Sequence, residues 1–180
     1  MTKSVFVCAA MAAAASMSLA QQPRPPRPMP AETSVTIAGK TITIKYSAPH
    51  VAGRQMFGPG GVISHDKTYP VWRAGANAAT ALHTDADLDI KGLHVPAGNY
   101  TLFANVENPD QWEFIVSKAT GEWGLAYDKS KDLGSVKMDM SKPGAPVEVY
   151  KMTLSSTGEH TGKLVLAFDD HEASVPFTVK

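Results

Sequence analysis

Cysteine is almost missing from this sequence. Its single copy, Cys8, lies in an apolar N-terminal stretch ahead of everything that reads as folded. The rest of the chain has no thiol, which excludes disulfides, thiolate catalysis and cysteine metal sites there. Long apolar runs are scarce too. Beyond the stretch from Val5 to about Met17, nothing reaches the ~18 consecutive apolar residues of a membrane helix, so no stable membrane span is expected in the mature chain. Neither sign of charge dominates: 17 Lys and Arg stand against 17 Asp and Glu. That balance supports neither nucleic-acid binding nor a polybasic membrane contact.

Recognisable reaction signatures are missing as well. There is no G-x-S-x-G elbow, no H-E-x-x-H, no G-x-G-x-x-G and no Walker lysine. Gly53 to Gly58 have G-x-x-x-x-G spacing, but they run into Pro59 without the lysine or a following helix. The histidines, His50, His65, His83, His94, His160 and His171, form no H-x-H or H-x-x-x-H pair. Asp85 to Asp89 alternate like a calcium loop, yet Ile90 and Pro96 stand where that loop needs Gly and Glu. No metal site and no cofactor is therefore expected, and the balance leans away from an enzyme. A hydrolase pairing His83 or His94 with an aspartate from another strand is the weakest of the functional readings.

What is present begins with an export signal. Met1-Thr2-Lys3 is a short basic start, the Ala-rich apolar run follows, and Ser18-Leu19-Ala20 supplies small residues for cleavage before Gln21. Residues 1–20 thus read as a signal peptide, and the expected location is the periplasm or the extracellular space. Loss of Lys3 with the signal leaves 16 basic residues against 17 acidic ones, a formal charge of −1. Residues 21–31 form a Pro-rich leader whose composition favours an extended, polyproline-like spacer.

From Glu32 to Lys180 the apolar period is two. Val35 and Ile37 face Ile42, Ile44 and Tyr46 across Ala38-Gly39-Lys40, which predicts a hairpin. Leu164, Leu166 and Phe168 are expected to pair with Val175, Phe177 and Val179 across Asp169 to Glu172. Further alternations are Trp112-Phe114-Val116, Val136-Met138-Met140, Tyr150-Met152-Leu154 and, with three aspartates on the wet side, Ala86-Leu88-Ile90. Pro96-Ala97-Gly98 launches Asn99 to Val106, read as the longest strand and as a central one, with Phe103 hinting that its second face is covered. The prediction is all-β: a single β-sandwich or jelly-roll-like domain of about ten mostly antiparallel strands.

Arginine usage singles out a site. This domain takes its surface charge from lysine and has arginine only at Arg54 and Arg73. The planar guanidinium binds carboxylate or phosphate in two-pronged fashion and stacks on aromatics, which lysine cannot do. Both arginines lie in irregular, Gly-containing sequence, and Arg73 sits within Val71-Trp72-Arg73-Ala74-Gly75-Ala76-Asn77-Ala78-Ala79-Thr80. Arg54, Trp72, Arg73, Asn77 and Thr80 are the candidate ligand-binding residues. The competing reading makes the arginines internal clamps that fix a long crossover loop.

The chain resembles domain-of-unknown-function family 2911, a family of exported bacterial proteins. The resemblance rests on Tyr46-Ser47-Ala48-Pro49, Gly53-Arg54 with Phe57-Gly58, Val71 to Asn77 with Thr80, Pro96 to Phe103, Trp112, and Trp123-Gly124 with Tyr127-Asp128. It implies a compact β domain over about Glu32 to Lys180 and no established activity. The segment from Pro59 to Tyr69 departs from the short link expected of the family. Two functions follow as expectations: a domain binding a small anionic or sugar-like molecule, or an envelope interaction module without a small ligand. Nothing in the sequence indicates an oligomeric state.

Overall fold

The computed structural model describes residues 25–180; the signal peptide and the first residues of the leader lie outside them. Thirteen strands build two antiparallel sheets. The seven-stranded sheet runs β1 (Met29–Ile37), β2 (Lys40–Ala48), β4 (Thr80–Thr84), β7 (Gly98–Asn105), β8 (Glu113–Ser117), β9 (Asp132–Lys137), with β3 (Val71–Trp72) paired beside β7. The six-stranded sheet runs β11 (Val147–Ser156), β12 (Thr161–Asp169), β13 (His171–Val179), β5 (Leu88–Ile90), β6 (Leu93–Val95), with β10 (Asp139–Ser141) on β13. The two sheets face each other as a β-sandwich, as the period-two pattern predicts.

Local chemistry explains the two predicted hairpins. Ala38 and Gly39 have φ of 51° and 74°, the left-handed pair that a two-residue turn needs to match strand twist. At the other hairpin Phe168 pairs with His171, so only Asp169 and Asp170 form the turn, tighter than the four residues expected. Inward side chains alternate along each strand: Ile42, Ile44 and Tyr46 from one sheet meet Tyr150, Met152 and Leu154 from the other.

Four expectations change in detail. The leader ends earlier, because Met29, Pro30 and Ala31 already pair with Ala48, Ser47 and Tyr46. The strand starting near Asn99 is central and its Phe103 is covered, by Val71, Ile115 and Tyr127, but at eight residues it is shorter than the ten-residue β11. The Val136-Met138-Met140 alternation spans two strands in different sheets: the chain crosses between them at Met138, whose N–H donates to the Trp112 carbonyl at 2.9 Å. Trp112 itself precedes β8, and of the Asp85–Ile90 run only Leu88–Ile90 pairs as strand. Strands of two or three residues are too short to show a period, which is why thirteen replace about ten.

Trp72 stands at the centre of the core's aromatic cluster. Its ring lies edge-on to Phe57 at 5.7 Å, Trp112 at 6.1 Å and Tyr150 at 5.0 Å, and parallel to Phe168 at 6.3 Å. Tyr150 and Phe168 come from the opposite sheet, so one side chain on a two-residue strand joins both layers. Its indole N–H donates to the Gly75 carbonyl at 3.0 Å and is thereby satisfied in the core. Replacing Trp72 with Ala should cost about 3–5 kcal/mol of stability, read as a lowered urea midpoint; Trp72→Phe should lose markedly less.

Candidate functional site

The crossover from β3 to β4 is irregular and tightly packed. Ala74 and Asn77 both adopt left-handed backbone, with φ of 48° and 60°. Asparagine tolerates that conformation and alanine does not favour it. Gly75 passes so close to the Ser47 carbonyl that an added Cβ would sit 3.0 Å from it, and the Ala76 N–H donates to that same carbonyl at 3.0 Å.

Arg73 leaves this crossover with only 9 % of its surface exposed. Its Nη2 donates to Asp66 Oδ2 at 2.8 Å and its Nη1 to the Asn77 carbonyl at 3.3 Å. Gly124 packs directly against the stem: a Cβ there would collide with Arg73 Cδ and the Asn77 carbonyl. Arg73 is therefore engaged as an internal clamp. Asp66 comes from the loop between Pro59 and Tyr69, in which the sequence offered no reason to choose a partner.

Arg54 also braces its own loop, donating from Nε to the Val51 carbonyl at 3.0 Å and from Nη2 to the His50 carbonyl at 2.6 Å. Its Nη1 has no hydrogen-bond partner among the described residues. The two arginines nevertheless meet. Both line one cleft of about 400 Å³, together with His50, Asp66, Trp72 and Asn77. Met56, Ile63 and Phe168 supply its apolar floor, and Pro25 to Pro28 of the leader form one wall, bringing Arg27 to it. The spacing of Arg54 and Arg73 in the sequence did not reveal Arg27, His50 or Asp66 as neighbours, because irregular loops and the leader ahead of β1 bring them there.

The remaining candidates sort differently. Trp72 reaches the cleft with part of a side chain otherwise buried in the core. Asn77 lies at the rim, with its carbonyl taken by Arg73 and by the Gly124 N–H at 3.2 Å. Thr80 does not belong to the cleft. It is fully buried and its hydroxyl donates to the Ala74 carbonyl at 2.8 Å, so its role is to hold the crossover in shape.

A family model described as "Protein of unknown function (DUF2911)" matches residues 29–177, almost the whole sandwich from the first residue of β1. The chain belongs to the DUF2911 family. It matches no curated protein and no solved structure.

The two histidines of this DUF2911 domain that the hydrolase reading considered do lie beside aspartates. His94 Nε2 lies 3.7 Å from Asp87 Oδ2, and His83 Nε2 lies 3.0 Å from Asp85 Oδ1. His83 Nδ1 is 2.9 Å from Asn99 Oδ1, so each ring nitrogen has a hydrogen-bond neighbour, an arrangement that favours the protonated ring. The hydrogen bond to Asn99, then that to Asp85, raises the His83 pKa above its usual 6.5. The hydrogen bond from His83 lowers Asp85 below 3.8. Of the two histidines the hydrolase reading considered, His83 has both ring nitrogens within hydrogen-bond distance of a neighbour, and His94 lies beside Asp87.

Two outcomes follow for this region. Arg73→Ala should lower stability by roughly 2–3 kcal/mol, less than for a fully buried pair because Asp66 is a quarter exposed; Arg73→Lys should recover only part of it, both read by denaturant melts. For His83, the raised folded pKa means that its stabilisation is complete below 6.5 and is lost as pH rises through the folded value. Asp85's contribution is present above 3.8 and is lost as pH falls through its own lowered value. The melting-temperature gap between wild type and His83→Gln should thus be widest between those two reference values and should close at alkaline pH.

Proposed function

We propose that this domain is exported and binds a small anion, a carboxylate or a phosphate, in the arginine cleft. The observation that carries the reading is the charge of the lining: three guanidiniums, from Arg27, Arg54 and Arg73, against the single carboxylate of Asp66. Asp66 is already committed to Arg73, so the excess positive charge belongs to Arg54 and Arg27. In this arrangement Arg73 holds the cleft's shape, Arg54 presents Nη1 to the ligand, and Arg27 closes over it from the leader. An apolar floor with a few convergent polar groups is the usual make-up of a small-molecule site. Each hydrogen bond to a charged group there contributes on the order of 1.5–3 kcal/mol.

One observation favours the alternative, an envelope scaffold module without a small ligand: two nitrogens of Arg54 and two of Arg73 already serve the protein itself. Calorimetric titration with phosphate, succinate and citrate separates the two. Anion binding should weaken about tenfold or more in Arg54→Gln, the loss of one charge-assisted contact, and should fall with added salt. Arg54→Gln that binds as wild type, or a wild type that binds none of these anions, would transfer support to the scaffold reading.

A further inference from the structure

The arginine cleft is larger than an inorganic anion needs, and much of its lining is apolar. Its volume of about 400 Å³ lies toward the lower end of the ~300–1,000 Å³ of sites that enclose whole organic molecules. Met56, Ile63 and Phe168 form the floor, and Pro25, Pro26 and Pro28 stand at one wall. None of these side chains carries a hydrogen-bond donor. A phosphate or an acetate alone would leave that surface unmatched. The molecule's larger concavity, about 740 Å³ on the outer face of the seven-stranded sheet above β2, β4 and β7, lacks this combination. There charges meet their opposites: Lys45 pairs with Glu32 at 3.7 Å and Glu122 with Lys131 at 3.0 Å.

Val62 sharpens the point. Met29, Tyr69, Trp123 and Val149 are large apolar side chains that stand in water outside this lining, whereas Val62, 37 % exposed, lies in it. Its place is fixed by the backbone. The Val62 N–H donates to the Gln55 carbonyl at 2.9 Å and the Ile63 N–H to the Met56 carbonyl at 3.1 Å. The 3-10 turn at Val62–His65 is thereby tied to the residues directly after Arg54. One stretch of chain supplies both a guanidinium and an exposed apolar side chain to the same cleft.

The donors that remain limit the head group. Arg54 spends Nε and Nη2 on backbone carbonyls, and Arg73 spends both terminal nitrogens within the protein. The Nε of Arg73 is buried. That leaves Arg54 Nη1 and the guanidinium of Arg27 to meet a ligand. Two oxygens of a carboxylate suit so short a set of donors, whereas a phosphate brings three acceptor oxygens to satisfy.

We propose that the ligand of the arginine cleft is a compact monocarboxylic acid with an apolar body, its carboxylate on Arg54 Nη1 and Arg27 and its chain or ring against Val62 and the leader prolines. The proposal rests on the anion-binding reading above and narrows it from any small anion to an amphiphilic acid.

The full mature chain should be titrated calorimetrically with acetate, butyrate, hexanoate, octanoate and decanoate, with phosphate and hexanol for comparison. Each CH₂ that becomes buried should tighten binding by up to about fourfold, so hexanoate should exceed acetate and phosphate by about tenfold or more. The gain should end within the series, with decanoate binding no tighter than octanoate. Val62→Ser, a change at a partly exposed side chain, should reduce the gain per CH₂. Arg54→Gln should weaken the whole acid series by about tenfold and leave that gain as it is. Acetate or phosphate binding as tightly as hexanoate would overturn this inference and leave the anion-binding reading standing. So would a gain per CH₂ unchanged in Val62→Ser, or one that continues undiminished through decanoate and so assigns the cleft to a lipid tail. Hexanol binding as tightly as hexanoate would also overturn it, since the carboxylate would then contribute nothing. No binding by any of the anions would overturn both readings.

Discussion

A guanidinium nine-tenths buried cannot stay unpaired, and the ion pair between Arg73 and Asp66 answers that requirement. Much of the irregular half of the molecule is arranged around it. Asp66 lies in the loop after a short 3-10 turn at Val62–His65, and the pair fastens that loop to the β3–β4 crossover. The crossover carbonyl that takes the other arm of Arg73 also receives Gly124, so the 121–126 segment is drawn onto the same point. The need for glycine at 124 is a consequence, since the Arg73 stem occupies the space where a Cβ would go.

The crossover thus forms a wall with a cleft on either side. Asn77 and Ala76 border the arginine cleft, and Ala78 and Ala79 border the open sheet face. The two clefts differ in electrostatics because of how their charges are neutralised. On the sheet face, regular cross-strand spacing and a nearby loop let opposite charges meet in pairs. In the arginine cleft the one carboxylate, Asp66, answers Arg73 alone, and Arg54 bonds backbone carbonyls, which satisfy its donors without cancelling its charge.

Trp72 and Arg73 show why the site was only half legible in the sequence. Their rarity and their Gly-containing setting marked them out, and both do lie at the cleft. Neighbouring residues on a strand point in opposite directions, however, so Trp72 enters the core while Arg73 turns to Asp66. Thr80 and Asn77 looked like ligand groups by residue type. In the fold Thr80 serves a buried carbonyl, and Asn77 serves a left-handed turn. Trp123 carried no signal beyond its identity, since an exposed and a buried tryptophan are written with the same letter.

Period-two alternation and turn residues such as Ala38-Gly39 are local properties, fixed by the pleat and by allowed φ and ψ. From them the sequence alone determined an all-β sandwich, its hairpins and the set of inward residues. Distances in the chain do not determine which loops meet. The pairing of Arg73 with Asp66, the meeting of Arg27 and Arg54 at one cleft, and the bridge of Trp123 to Ala78 were decided only by the tertiary structure. Such contacts depend on where strand ends emerge from two packed sheets, and short strands such as β3, β5 and β10 leave too few residues to show a period.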